Sequence, residues 1–367
     1  MQRKCEGDYF TMKSKIIVIV VLVSIFGGSF VFAWDLPEDV MKEVARRKGK
    51  TELSRVAESM KPGTWAELKT DAPKRLWSAP PPSKGLNIAT WSDDAHWDSR
   101  TGQFLFFGVR QTRKFIAYSE EKNAWRVIPF HEKSNAPGLK QKYGHQYSNN
   151  SLDPVRSRYY TTTWQYDIVK DSWARLPRPF RTMTYEYFTA MDALVSLERE
   201  RGNLAYLVHG AQKWTKVKKL EVHGYHSLAR HNPFRKEVLL AGGNNCKAVV
   251  VLDKNGNVKQ MKDFPLEGKL TVRSSIVTVD PLSGRYLFMV PGKKFVEFDS
   301  GKNQYRLADD FTETAWPIKK GQTPVVAFIP EYGVTIWAND NKQSMICLYK
   351  HDASADLKVL ETDKEKK

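Results

Sequence analysis

Cysteine is scarce in this chain. Three occur in 367 residues, and only Cys246 and Cys347 lie beyond the first few positions. That excludes a disulfide framework as the source of the fold, since cross-linked domains need several closely spaced pairs. Cys-x-x-Cys, a Gly-rich phosphate loop and a nucleophile elbow are all missing, so thiol redox, P-loop and serine-hydrolase chemistry have no motif to stand on. A long run of one charge is missing too. Lys and Arg number 58 against 41 Asp and Glu, a formal charge of +17, but the basic residues are scattered. Their small knots are Lys216-Val217-Lys218-Lys219, Lys293-Lys294 and Lys319-Lys320.

The first apolar run lies near the start. Residues 12–33 read as a signal peptide: Lys13 and Lys15 form the positive region, Ile16 to Phe26 the apolar stretch, and Val31 and Ala33 the small-residue cut site. Cleavage is expected after Ala33; the alternative is an uncleaved membrane anchor. No Cys follows the apolar stretch, so a lipid anchor is not expected. A secreted or periplasmic location follows. Removing residues 1–33 takes away four basic and two acidic residues and leaves +15. A secreted protein this basic is suited to acidic polysaccharide, an envelope component or another polyanion. A protein partner is the other possibility, and the export signal disfavours nucleic acid. Cys246 and Cys347 fall in non-adjacent repeats, so two free, half-buried thiols are expected.

Aromatic residues are abundant, with 11 Trp, 15 Tyr and 18 Phe, and they recur. Every forty to fifty residues a turn built on Asp, Pro or Gly is followed by apolar strands and then Trp-x-x-Leu or a near equivalent. The rungs are Trp65–Leu68, Trp125–Ile128, Trp173–Leu176, Trp214–Val217, Val258–Met261, Tyr305–Leu307 and Leu357–Leu360. Turns at Asp98–Gly102, Asp153-Pro154, Glu200–Gly202, Asn232-Pro233, Asp280-Pro281 and Pro330–Gly333 are expected to lead into six inner strands. A period of this size with strand patterning inside it specifies an all-β propeller. Seven rungs and six hairpins favour six blades, with seven as the alternative. With six, the Trp65 rung is a spare outer strand that closes the ring beside the last blade. Each rung is read as an outermost strand whose aromatic covers the blade edge. The resulting plan is a helical leader over residues 34–62, broken by Gly49, a propeller over 63–361 and a charged tail at 362–367.

Gly108, the pair Gly242-Gly243 after an apolar strand, Tyr118 with Trp125, and Asp167 with Trp173 resemble the kelch-type propellers, including the central domain of the galactose oxidase group. The chain is also similar to secreted bacterial kelch-like proteins of unassigned role. Copies one, two and four carry the likeness best. The copper-radical activity is not carried over, because Cys246 has no matching Tyr and His pattern.

In a propeller, the residues entering the inner strands surround one channel mouth. Here they are Trp91, Asp93, Asp94 and His96; His145, Tyr147, Asn149 and Asn150; Tyr185, Glu186 and Tyr187; His223, Tyr225, His226 and Arg230; Arg273; and Gln322. Aromatic faces with Asn, Glu and Arg suit a sugar. The ligand-binding set is Trp91, Asp93, His145, Tyr147, Asn149, Tyr185, Glu186, His226 and Arg273. The leading expectation is a binding scaffold for a polyanionic glycan or an envelope protein. The alternative is a polysaccharide lyase, with Arg273 or Arg230 neutralising a carboxylate and His145, His226 or Tyr185 as base. His223, His226 and His145 are the only metal-like grouping; no metal and no cofactor are expected.

Overall fold

The computed structural model describes residues 36–80, 87–89, 92–110, 112–129, 147–161, 164–177, 183–244, 246–267, 270–272, 275–290, 294–310, 324–338 and 344–361. Residues 12–33, read above as a signal peptide, and residues 362–367, read as a charged tail, lie outside them. The strands between Thr64 and Leu360 form six antiparallel sheets among the described residues.

Blade 1 comprises His96–Asp98, Gln103–Arg110, Thr112–Ser119 and Ala124–Ile128; blade 2, Asn150–Asp153, Arg158–Thr161, Trp164–Asp167 and Ser172–Arg175. Blade 3 comprises Met183–Phe188, Ala193–Glu198, Asn203–Val208 and Thr215–Lys219; blade 4, Ser227–Asn232, Glu237–Gly242, Val249–Asp253 and Val258–Gln260. Blade 5 comprises Ile276–Val279, Tyr286–Val290, Lys294–Asp299 and Gln304–Asp310, and gains a fifth strand, Lys358–Leu360, paired to Gln304–Asp310. Blade 6 comprises Val325–Ile329, Val334–Ala338 and Met345–Lys350, and its outermost strand is Thr64–Lys69, from the start of the fold.

The propeller therefore has six blades. The Trp65 rung closes the ring, with Trp65 opposite Tyr349 and Leu68 opposite Ile346. The Leu357–Leu360 rung belongs to blade 5 and marks no seventh blade. The innermost strands touch in sequence round the ring, and that of blade 6 returns to that of blade 1.

Two expectations need correction. The turns at Asp98, Asp153, Asn232 and Asp280 follow the innermost strands instead of preceding them, so the polar residues expected at a mouth lie partly on the channel wall. In blade 3 the turn at Glu200–Gly202 joins the second and third strands. The repeated Asp or Asn has a local cause. Its carboxylate or amide oxygen accepts the backbone N–H three residues on, from Thr101, Arg156, Arg235 and Ser283. Blades 3 and 6 turn instead through short 3-10 segments, Thr189–Met191 and Pro330–Tyr332.

The rung aromatics pack between blades instead of covering an edge. Trp173 of blade 2 lies 5.7 Å from Phe115 of blade 1, and Trp65 of blade 6 lies 6.2 Å from Phe295 of blade 5. Flat rings fill the wedge that widens between sheets as they splay from the axis. Cys347 is buried and Cys246 half-buried, and the two form no disulfide among the described residues.

Before the first strand come helices Glu38–Arg47 and Glu52–Ser59, the second capped by Thr51. Arg47 is buried and binds Glu120 Oε2 at 3.0 Å and the carbonyl of Arg100 at 3.0 Å. Glu120 also accepts from Thr51 and from Tyr332 of blade 6, each at 2.6 Å. Removing one partner of a buried pair strands the other charge. Arg47→Ala should therefore cost about 3–5 kcal/mol in urea denaturation, while Arg46→Ala, in an exposed pair with Glu121, should leave the midpoint unchanged.

Candidate functional site

The innermost strands of blades 1, 2, 4 and 5 are buried along their length, yet these inner segments carry charge. Polar side chains aimed at the axis have little water to face, so they must satisfy one another. Asp93 accepts the Ser148 backbone N–H at 2.6 Å and the Ser148 hydroxyl. Asp94 lies beside it, and a parallel bridge joins Asp94 to Val326 of blade 6. Glu186 of blade 3 accepts the Ser151 hydroxyl at 3.0 Å. Arg230 of blade 4 donates Nε to the carbonyl of Val277 in blade 5 at 3.0 Å. Arg199 donates Nε to Thr184 at 2.7 Å.

Burial governs the protonation of this group. It pushes Asp93 up to about 7, with the Asp94 carboxylate adding to the rise and Ser148 opposing it. It pushes Asp94 up to about 7 against the pull of Arg230 and Arg199. Glu186 rises to about 8 from burial, opposed by Arg230 and helped by Asp94. His96 and His231 fall to about 3, from burial and then from the Arg230 charge, so both are neutral. Strongly shifted groups gathered in one concavity mark a functional-site candidate.

The geometry divides the channel. Toward the ends of the innermost strands, a cavity of about 40 Å³ is lined by His96, Glu186, Arg230 and His231 and by Ala95, Trp97, Leu152, Pro154, Ala327 and Phe328. A space of this size holds a few water-sized groups and no sugar ring. Where the strands begin, Tyr147 meets His226 at 5.1 Å and Tyr225 at 6.2 Å. The Arg199 guanidinium sits 5.6 Å from the Tyr225 ring centre. Tyr147 is buried, Tyr225 and His226 are half-buried, and His226 Nδ1 is hydrogen-bonded to Asn244.

Of the residues expected from the sequence, Asp93, Asp94, His96, Glu186 and Arg230 come together on the axis, and Tyr147, Tyr225 and His226 at the strand-entry end. Asn149 is half-buried next to Ser148, Asn150 is buried, and His223 is exposed. Tyr187 turns away, its hydroxyl held by Arg156 at 2.9 Å. Trp91, His145, Arg273 and Gln322 lie outside the described residues, and of Tyr185 only the backbone is described. Among the described residues, no three His, Cys, Asp or Glu side chains converge as metal ligands. Sequence inspection passed over Arg199, Ser148 and His231. Arg199 stands in the run Glu198–Arg201, where nothing sets it apart from the exposed Arg201.

The raised carboxylates tie stability to pH. Asp93, Asp94 and Glu186 bind protons more tightly folded than unfolded, so their contribution is fully present below about pH 4 and is lost as pH rises through about 7 to 8. Urea midpoints should fall between pH 5 and pH 9. Glu186→Gln should flatten that fall, and an unchanged slope would show that Glu186 does not titrate there.

No protein-family model matches the chain, and no curated protein sequence matches it. Among solved structures, the chain is similar to a structural-genomics protein of unknown function from Bacteroides thetaiotaomicron VPI-5482. The identity is 12%, the TM-score is 0.52, and the likeness covers 78% of this chain and 76% of the other. That likeness shows the shared propeller fold.

Proposed function

We propose that this chain is an exported propeller of the kelch kind that binds an acidic glycan of the cell envelope, without transforming it, at the end of the channel where the innermost strands begin. The observation that carries this is the meeting of Tyr147 with Tyr225 and His226 over the buried guanidinium of Arg199. Ring faces backed by fixed positive charge suit a pyranose bearing a carboxylate. The +15 charge left after removal of residues 1–33 would draw such a polymer in. The kelch relationship is supported by Gly242-Gly243. Both have positive φ, and a Cβ on either would come within 2.0 Å of a carbonyl, that of Leu270 or of His223.

Binding without turnover is favoured by the spacing of His226 and Arg230, the base and carboxylate neutraliser of the lyase reading that both lie among the described residues. His226 and Arg230 are four residues apart along an extended segment, which at about 3.3 Å per residue separates them by roughly 13 Å. A base and a carboxylate neutraliser must reach neighbouring atoms of one sugar.

A glycan array probed at low and high salt, with ultraviolet monitoring of acidic polysaccharides, tests this. Binding of one sugar class should survive high salt, and Tyr225→Ala should weaken it about tenfold, roughly 1.4 kcal/mol. Growth of an unsaturated product would establish the lyase instead. Binding of every polyanion that vanishes with salt would refute a shaped glycan site and direct attention to an envelope protein.

A further inference from the structure

The second end of the channel has no part in that function, and its polar groups are incompletely met. His96, Glu186 and Arg230 line the cavity, and each is more than nine-tenths buried. His96 Nε2, Glu186 Oε1 and Arg230 Nη2 each lack a hydrogen-bond partner among the described residues. The nearest opposite charges are too far apart to hydrogen-bond: Arg230 Nη1 stands 3.9 Å from Glu186 Oε1, and this contact leaves Nη2 unmet. Nor does Asp94 Oδ2 reach His96 Nε2, at 3.7 Å. Buried donors and acceptors left unmet cost stability, so the site is built to be filled by something that hydrogen-bonds.

The groups specify the guest. A guanidinium N–H pointing into the space repels a cation and calls for an acceptor. Glu186, held protonated below about pH 8, supplies an O–H donor beside it. The remaining wall is apolar: Leu152, Pro154, Ala327 and Phe328. We infer that this cavity binds a small monocarboxylate of two or three carbons, one oxygen accepting from Arg230 Nη2 and the other from the Glu186 carboxyl proton, with its methyl or ethyl group against Leu152 and Phe328. Other groups facing Glu186 are Asp93, Asp94 and Ser151, and ionisation of the two aspartates disfavours a second anion. Affinity should therefore fall as pH rises through about 8.

The test uses the whole chain, with sodium acetate and sodium propionate as probes against sodium chloride at equal ionic strength. At pH 6 both carboxylates should raise the thermal midpoint saturably and chloride should not. At pH 9 the apparent affinity should drop at least tenfold. Glu186→Gln, which keeps a donor but cannot ionise, should lose part of that pH dependence and keep the part set by Asp93 and Asp94, and Arg230→Met should abolish the effect. Ala327→Leu, which fills the cavity and leaves the polar groups in place, should also abolish it and covers the case in which Arg230→Met fails to fold. Equal shifts with chloride, or an undiminished carboxylate effect in Ala327→Leu, would overturn the assignment and leave a site for water. Loss of glycan binding in Tyr225→Ala with carboxylate binding intact would show that the two sites stand independently.

Discussion

Ring closure is the constraint on which everything else rests. Six sheets surround an axis only if the last is tied to the first, and the tie here is a strand from the beginning of the fold, Thr64–Lys69, paired along its length with Met345–Lys350. An unclosed ring would expose a sheet edge at each end and leave every inter-blade contact dependent on its neighbour alone. Closure is reinforced by side chains at the turn face. Glu331 of blade 6 accepts from Trp97 and Ser99 of blade 1, each at 2.8 Å, Asp98 of blade 1 accepts from Ser157 of blade 2 at 2.9 Å, and Asn232 of blade 4 donates to the Gly284 carbonyl of blade 5 at 2.8 Å. The helical segment adds a clasp, since Glu120 gathers Arg47, Thr51 and Tyr332 from three parts of the chain.

Closure also creates the channel and its chemistry. Six innermost strands brought to one axis leave a narrow space lined by their side chains. The polar set placed there includes three carboxylates and two guanidinium groups, with hydroxyls from Ser148, Ser151 and Thr184 as intermediaries. Desolvation is the dominant influence on each carboxylate, which is why three acids beside two arginines still titrate near neutrality. The aromatic end and the small polar cavity belong to one arrangement. The same strands that place Tyr225 and His226 at their entry place Arg230 and His231 near their exit.

The architecture was legible because it is written locally and then repeated. Asp98, Asp153, Asn232 and Asp280 each close a turn through their own side chain, and Trp125 and Trp173 recur at one place in the blade, so period and strand patterning survive in the linear sequence. The strand that closes the ring was legible as well, as a surplus Trp65 rung. Order within the hairpin was not: a turn residue marks a bend equally well whether the inner strand precedes or follows it. The extra strand at Lys358–Leu360 looked like one more rung, because hydrophobic spacing does not say which sheet a strand joins.

At the site, the sequence by itself determined which chemistries were present: tyrosine and histidine before the inner strands of blades 2 and 4, and Asp93, Asp94, Glu186 and Arg230 within segments that should be apolar. Only the tertiary structure decided how they group. It separated His226 from Arg230 along one strand and drew Arg199 out of a charged run to lie beneath Tyr225. It also brought Glu186 within 3.9 Å of Arg230 without letting the pair close. The physical reason is that burial and partnership are properties of an axis shared by six sheets. No stretch of forty residues contains the distances that set them.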